Sequence, residues 1–290
     1  MNIGFIGFGE VGYEMSKGFI SHDSRHKIFV YDHLYEKIET KNRADEAQAT
    51  LFDSPLKVAH QELDVLFVAV PAPYSHDAWK SIWPALTSTT IYVDLTTASS
   101  ETKKQISKEM NDDNRRFVDA AIMGPLKGNQ HKVPMMVSGI ASKSFIQLGK
   151  ELEMNLEYVS ELAGDATNIK FIRSIFTKGL STLLHEVMEI AEKLELDETI
   201  LDSITTTIDK EPFENVINRL ITGNVLHSER RVKEMENVIA FMLENDVEPQ
   251  MTRATRDKLL SISNTDLKEK FQGKAPMHWK QVMQIINQGE

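Results

Sequence analysis

Three side chains past the middle of the chain have the spacing of a proton-transfer site. From Lys170, Ser174 lies at i+4 and Lys178 at i+8, so on a helix they share one face. A lysine partly withdrawn from water beside a second cation has a lowered pKa and can act as acid or base near neutral pH. Lysines more often snorkel to the surface, and spacing alone leaves both readings open. A second constellation opens the chain, where apolar Asn2–Ile6 runs into Gly7-Phe8-Gly9-Glu10-Val11-Gly12, a GxGxxG turn. In a dinucleotide site the first glycine makes the tight turn and the second admits a pyrophosphate. The third lets the next helix pack on the strand, its positive end facing the phosphates. Residues 27–31 read as a second strand ending at Asp32, about 20 residues beyond the last glycine, as that fingerprint requires. A carboxylate there accepts hydrogen bonds from a ribose and repels a 2′-phosphate, so the expected cofactor is NAD in preference to NADP. Gly7, Phe8, Gly9, Glu10, Val11, Gly12 and Asp32 are the candidate cofactor residues.

Other candidates lie where strands end, because ligands of open α/β sheets bind outside the carboxyl ends of the strands. Val70 and Pro71 precede Pro73 in a stiff loop, either a wall beside a ribose or an ordinary proline turn. Thr96 belongs to a hydroxyl-rich run, 94–100, that either meets the cofactor or caps the next helix, with Ser99 or Ser100 suited to the cap. Met123, Gly124 and Pro125 follow another strand in a Gly/Pro loop whose amides could hold a carboxylate.

The elements positioning these residues change character along the chain. Strand-like runs recur at 63–70, 90–94, 116–120, 133–137 and 156–159, with helical stretches between them at 75–86, 99–111 and 141–153. Apolar strands alternating with helices predict a doubly wound, mostly parallel sheet covered on both faces, an α/β Rossmann domain over residues 1–160. From Ile169 the apolar residues step by three or four through Leu194. This predicts one long helix, apolar on two sides at its start, that opens an all-α domain over 161–290 and is buried between domains or subunits. Further helices are expected at 197–208, 213–222, 224–245, 250–262 and 276–288, punctuated by Gly223, Pro249 and Gly273.

Composition narrows the chemistry. A net charge of −10 with no basic stripe argues against nucleic-acid binding. An anionic substrate would need a local basic pocket, for which Arg231, in the cluster Arg230-Arg231-Val232-Lys233, is the candidate. The absence of cysteine removes thiolate catalysis and disulfides. His185-Glu186 with Glu189 has no second histidine four residues on and reads as a solvated face, so no metal is expected. No run is long and apolar enough to span a membrane, and nothing resembles a signal peptide, so the expected compartment is the cytoplasm. An exposed apolar stripe on the long helix would be a liability, and a homodimer is expected to cover it.

Taken together, these residues resemble the β-hydroxyacid dehydrogenase superfamily, related to 6-phosphogluconate and 3-hydroxyisobutyrate dehydrogenases. Gly4 through Gly12 resembles its opening motif, Val93 through Thr97 the strand end beside the nicotinamide, and Phe117 through Ala121 the substrate-binding strand. Gly164 through Lys170 resembles the segment carrying the family's catalytic lysine. The resemblance implies hydride transfer between NAD and a small 2- or 3-hydroxy acid or sugar acid, with Lys170 as general acid/base. Ser174 and Lys178 would position the substrate, and the loop containing Met123, Gly124 and Pro125 would close the pocket. Two departures bear on specificity: Met123-Gly124-Pro125 replaces Ser-Gly-Gly, and Ser174 replaces asparagine. The run from Lys170 to Gly179, with 247–252, instead resembles a subgroup whose phosphogluconate-dehydrogenase-like C-terminal domain has no assigned function. An imine reductase of the same architecture, or a dinucleotide-binding sensor without turnover, are the alternatives.

Overall fold

A computed structural model of the chain describes residues 1–111 and 115–288. Among the described residues the first part runs β1 (Asn2–Ile6), α1 (Glu10–His22), β2 (Lys27–Tyr31), α2 (Ile38–Glu46), β3 (Ala49–Phe52), α3 (Pro55–Ala59), β4 (Val65–Val68), α4 (Ser75–Ile82), β5 (Ile91–Asp94), α5 (Ser100–Asn111), β6 (Arg116–Ile122), β7 (Met135–Ser138), α6 (Ser142–Glu151) and β8 (Leu156–Ser160). The helices that follow are α7 (Asp165–Lys193), α8 (Asp197–Asp209), α9 (Phe213–Glu244), α10 (Gln250–Ser263), α11 (Leu267–Lys270) and α12 (Trp279–Gln288). The chain divides into two compact units, residues 1–174 and 175–290, and the division falls inside α7.

The first unit is the α/β fold expected from the alternating pattern. Its eight strands lie in the order β3-β2-β1-β4-β5-β6-β7-β8, parallel except that β6 and β7 pair antiparallel. The order reverses between β1 and β4, which places a ligand crevice at their carboxyl ends. Side chains alternate between two cores. On one face Phe5 stacks on its register partner Phe67, ring centroids 5.0 Å apart. On the other, Trp79 of α4 packs edge-on to Phe117 and Tyr92, themselves neighbours across β5 and β6. Both faces are apolar because helices cover both, which is why β4 and β5 are buried along their whole length.

The second unit departs from the sequence reading in three places. α9 is one helix from Phe213 to Glu244, where a break at Gly223 was expected. A helical glycine costs only about 1 kcal/mol, and the buried Thr222 and Val225 on either side hold the helix through it. The last helix begins at Trp279 rather than 276, and the short α11 precedes it; Gly273, at φ +69°, does end that segment. Glu186 is buried rather than on a solvated face. Its carboxylate accepts the Met251 N–H (2.6 Å), the Thr252 N–H (2.8 Å) and the Thr252 hydroxyl (2.6 Å), capping α10 from α7. Among the described residues no cluster of His, Asp or Glu is placed to hold a metal, and no helix is long and apolar enough to cross a membrane.

One buried histidine should make the first unit acid-sensitive. His131 is 3% exposed, packs 5.0 Å from the Phe19 ring, and neither ring nitrogen has a hydrogen-bond partner. Burial, then the charges of Lys132 and His22, pull its pKa down to about 4, against a smaller opposing pull from Glu153. The folded state thus disfavours the proton that the unfolded chain takes up near pH 6.5. The stability linked to His131 is complete above that pH and is lost as pH falls towards 4. Thermal melts should show the midpoint dropping between pH 6.5 and 4, with a shallower drop for His131→Leu. Parallel curves for the two proteins would assign the acid sensitivity to other groups.

Candidate functional site

The glycine turn after β1 is built as the spacing predicts. Gly7 sits at φ +94°, and a Cβ there would overlap the Ala69 carbonyl at the end of β4. A Cβ on Gly12 would lie 2.7 Å from the Gly7 carbonyl oxygen, so that glycine sets the close approach of α1 to the turn. Gly9 differs: a Cβ would meet nothing within 4 Å. It precedes α1, whose first turn has no side-chain cap, leaving room and N–H donors for an anion. Asp32, at the end of β2, accepts the Phe8 N–H (2.8 Å) and the Leu34 N–H (2.9 Å). The carboxylate ties the glycine turn to its own loop, and each oxygen keeps a second lone pair for a ribose hydroxyl.

These residues wall a cleft of about 680 Å³ at the carboxyl ends of β1, β2 and β4. Gly7, Phe8, Gly9, Asp32, Val70 and Pro71 all line it; the Phe8 ring itself points into the core. Glu10, Val11 and Gly12 continue into α1 behind the turn. The size and donor set suit a dinucleotide. Arg43 of α2 and His33 also line the cleft. The guanidinium of Arg43 lies 5.7 Å from the Tyr13 ring centroid, and the His33 Nδ1 is 3.2 Å from Asp32. Spacing gives no sign of Arg43, because α2 returns its side chain to the cleft from eleven positions beyond Asp32.

Thr96, Met123, Gly124, Pro125, Lys170 and Ser174 are not among the walls of that cleft. Thr96 is buried; its N–H donates to Asp94 (2.8 Å) and its hydroxyl accepts the Ala98 N–H (3.3 Å). Ser99 caps α5 by accepting the Thr102 N–H (3.2 Å). Met123 and Gly124 are half-buried in the loop after β6, and Pro125 is exposed. Lys170 and Ser174 are half-buried on α7, in the first unit. Lys178, on the same helix, is exposed and belongs to the second. Arg231, also in the second unit, is half-buried and donates to Asn224, one strand of contact that lays its guanidinium along α9 over Gly223. Its neighbour Arg230 pairs with Glu234 on the surface.

Sequence reading also missed a buried ionic network in the first unit. Asp94 and Asp119 are register partners on β5 and β6, and the ammonium of Lys103, fully buried, lies 2.8 Å from one and 3.1 Å from the other. Burial would raise the Asp94 pKa, but the Lys103 charge and the hydrogen bonds from Lys103, Thr96 and Trp79 outweigh it and hold the carboxyl below its usual range. The signal was present: Lys103, Ile106 and Met110 step by three and four along α5, so this lysine shares the apolar face that Ile106 and Met110 bury.

Residues 2–153, more than half the length of the chain, match the family model of the NAD binding domain of 6-phosphogluconate dehydrogenase, and residues 191–262 match a domain of unknown function (DUF1932). An uncharacterized 28.5 kDa protein from Methanothermus fervidus is 28% identical over 90% of this chain and 99% of its own. The conserved protein MTH1747, of unknown function, is 28% identical with a TM-score of 0.59, covering 95% of this chain and 100% of that one. Its structure is described as similar to 3-hydroxyacid dehydrogenases. A variant imine reductase from Myxococcus stipitatus, in complex with NAD+, has a TM-score of 0.74 at 16% identity, covering 90% of this chain and 93% of its own. The imine reductase from the same organism in complex with NADP+ has a TM-score of 0.71 at 14% identity, covering 91% and 94%. At such identities the likeness is one of fold. From the glycine turn to the strand order, the first unit has the form this match requires, and the chain belongs to the family of the NAD-binding domain of 6-phosphogluconate dehydrogenase.

Proposed function

We propose that this protein is an NAD-dependent oxidoreductase acting on a small 2- or 3-hydroxy acid or sugar acid. The observation that carries the reading is the cleft walled by Gly7, Gly9, Asp32 and Pro71 in a chain of this family. The dinucleotide, when bound there, supplies the hydride chemistry. Lys170 then takes the substrate's hydroxyl proton as the carbon gives up its hydride, and returns a proton in the reverse direction. Ser174 orients the hydroxyl or carboxylate, and the loop with Met123, Gly124 and Pro125 closes over the substrate. A second reading, reduction of a C=N bond, takes its support from the likeness in fold to imine reductases; it does not need Lys170.

NAD is the preferred form because a 2′-phosphate would meet the Asp32 carboxylate, with Arg43 offsetting part of that repulsion. NADH should bind at least about ten-fold more tightly than NADPH, a difference of about 1.4 kcal/mol. Arg43→Ala should widen the ratio by weakening NADPH binding more. Fluorescence titration of both reduced forms measures this, and equal or tighter binding of NADPH would remove the NAD assignment.

The reading includes a homodimer. Along α7, Ile172 is 67% and Ile175 76% exposed, and Phe171, Phe176, Leu180 and Leu183 are exposed with them. A continuous apolar stripe of this length is an aggregation liability in a lone chain, and a two-fold pairing covers it with the same patch of a second copy. Light scattering at micromolar concentration should give twice the chain mass of 32.9 kDa. A mass equal to one chain would contradict the dimer.

A further inference from the structure

Lys103 stands between two carboxylates that parallel strands force together. Tyr92 pairs with Phe117, and two residues on, on the same face of the sheet, Asp94 pairs with Asp119. The Lys103 ammonium donates to the Asp94 carbonyl (3.2 Å) and to Asp94 Oδ1 (2.8 Å), and forms an ion pair with Asp119 Oδ1 at 3.1 Å. Asp94 further accepts Ser75 (2.9 Å) and Trp79 (2.8 Å) from α4 and the Thr96 N–H (2.8 Å). Asp119 accepts the Gly164 N–H (3.1 Å), the Thr167 N–H (3.0 Å) and the Thr167 hydroxyl (2.8 Å), with Ser138 at 3.3 Å.

Two carboxylates and one ammonium leave a net negative charge in a network closed to water. Part of the balance comes from the start of α7, where the Gly164 and Thr167 N–H groups meet Asp119 beside the positive end of the helix. Asp119 is therefore divided between Lys103 and the start of the helix that carries Lys170 and Ser174. Without Lys103, the two adjacent carboxylates repel each other in a low dielectric, so one must take a proton or they must separate. Asp119 can move away only by breaking its hydrogen bonds to Gly164 and Thr167 or by taking the first turn of α7 with it.

We propose that Lys103 is a positioning residue. It locks the start of α7, and with it Lys170 and Ser174, in register with the strand end that carries Thr96. The consequence for turnover rests on the reading of Lys170 given above; the structural part does not.

Hydrogen–deuterium exchange on Lys103→Met and Asp119→Asn, followed by mass spectrometry, tests it. In both variants, peptides covering residues 164–174 should exchange at least about ten-fold faster than wild type, the loss of a buried charged partner. Peptides covering residues 3–12 should be unchanged, and NADH affinity should stay within about three-fold. Adding Asp94→Asn to Lys103→Met removes the opposing charge and should slow exchange at 164–174 back towards wild type; if Lys103→Met alone does not fold, Asp119→Asn is read in its place. On an identified substrate, Lys103→Met should lower kcat at unchanged KM. Wild-type exchange at 164–174 in the single variants Lys103→Met and Asp119→Asn, or acceleration spread evenly over residues 1–174, would overturn the proposal. Exchange needs no substrate, so a protein that binds dinucleotide without turnover would sink the reading of Lys170 and leave the positioning role of Lys103 to be decided by exchange alone.

Discussion

Replacing Lys170 by methionine should lower turnover at least about 100-fold while leaving dinucleotide affinity almost unchanged, the signature of a lost general acid/base. Methionine keeps the length and apolar stem of lysine, and α7 starts on anchors that the change does not touch, Gly164 and Thr167 on Asp119. The helix should survive, which a melting curve within a few degrees of wild type would establish. Steady-state rates and an NADH titration on the same preparation separate the two effects. A variant keeping more than about a tenth of wild-type turnover would make Lys170 structural and favour the C=N reading.

The glycine turn gives the second large effect, through a contrast within one motif. Gly7→Ala forces a side chain into the left-handed region at φ +94° and onto the Ala69 carbonyl, costing on the order of 1–3 kcal/mol for the backbone alone before the overlap is relieved. It should lower the melting midpoint and dinucleotide affinity together. Gly9→Ala meets no protein atom within 4 Å and sits at φ −71°, so the melting midpoint should hold. Its methyl group would stand where the pyrophosphate must approach the start of α1, and NADH affinity should fall at least about 100-fold. Normal NADH binding by Gly9→Ala would place the phosphates elsewhere.

How much the sequence disclosed depended on whether a feature is local. The glycine turn, the strand before it and Asp32 were readable because one short stretch dictates turn, packing and acceptor together. The parallel sheet was readable because strands covered on both faces must be continuously apolar. Ser99 was readable as a cap because a helix start needs an acceptor close in sequence. Lys103 was not, since its role exists only once β5 and β6 set Asp94 beside Asp119. Arg43 reaches the cleft through the packing of α2, which leaves no spacing signature. Gly223 misled because local propensity is weaker than the burial of its neighbours, and Glu186 because its partners lie 65 residues away, on α10. The reversed direction of β7 likewise follows from pairing rather than from any residue in it.

The most direct test of the central claim is the appearance of reduced nicotinamide, followed by absorbance, when purified protein is given NAD and a panel of 2-hydroxy, 3-hydroxy and sugar acids. A parallel panel of imines is run with NADH. The account predicts reduction of NAD by at least one hydroxy or sugar acid, faster than reduction of NADP and lost in both Lys170→Met and Gly9→Ala. Saturable dinucleotide binding with no turnover on either panel, or turnover confined to imines and indifferent to Lys170→Met, would contradict it.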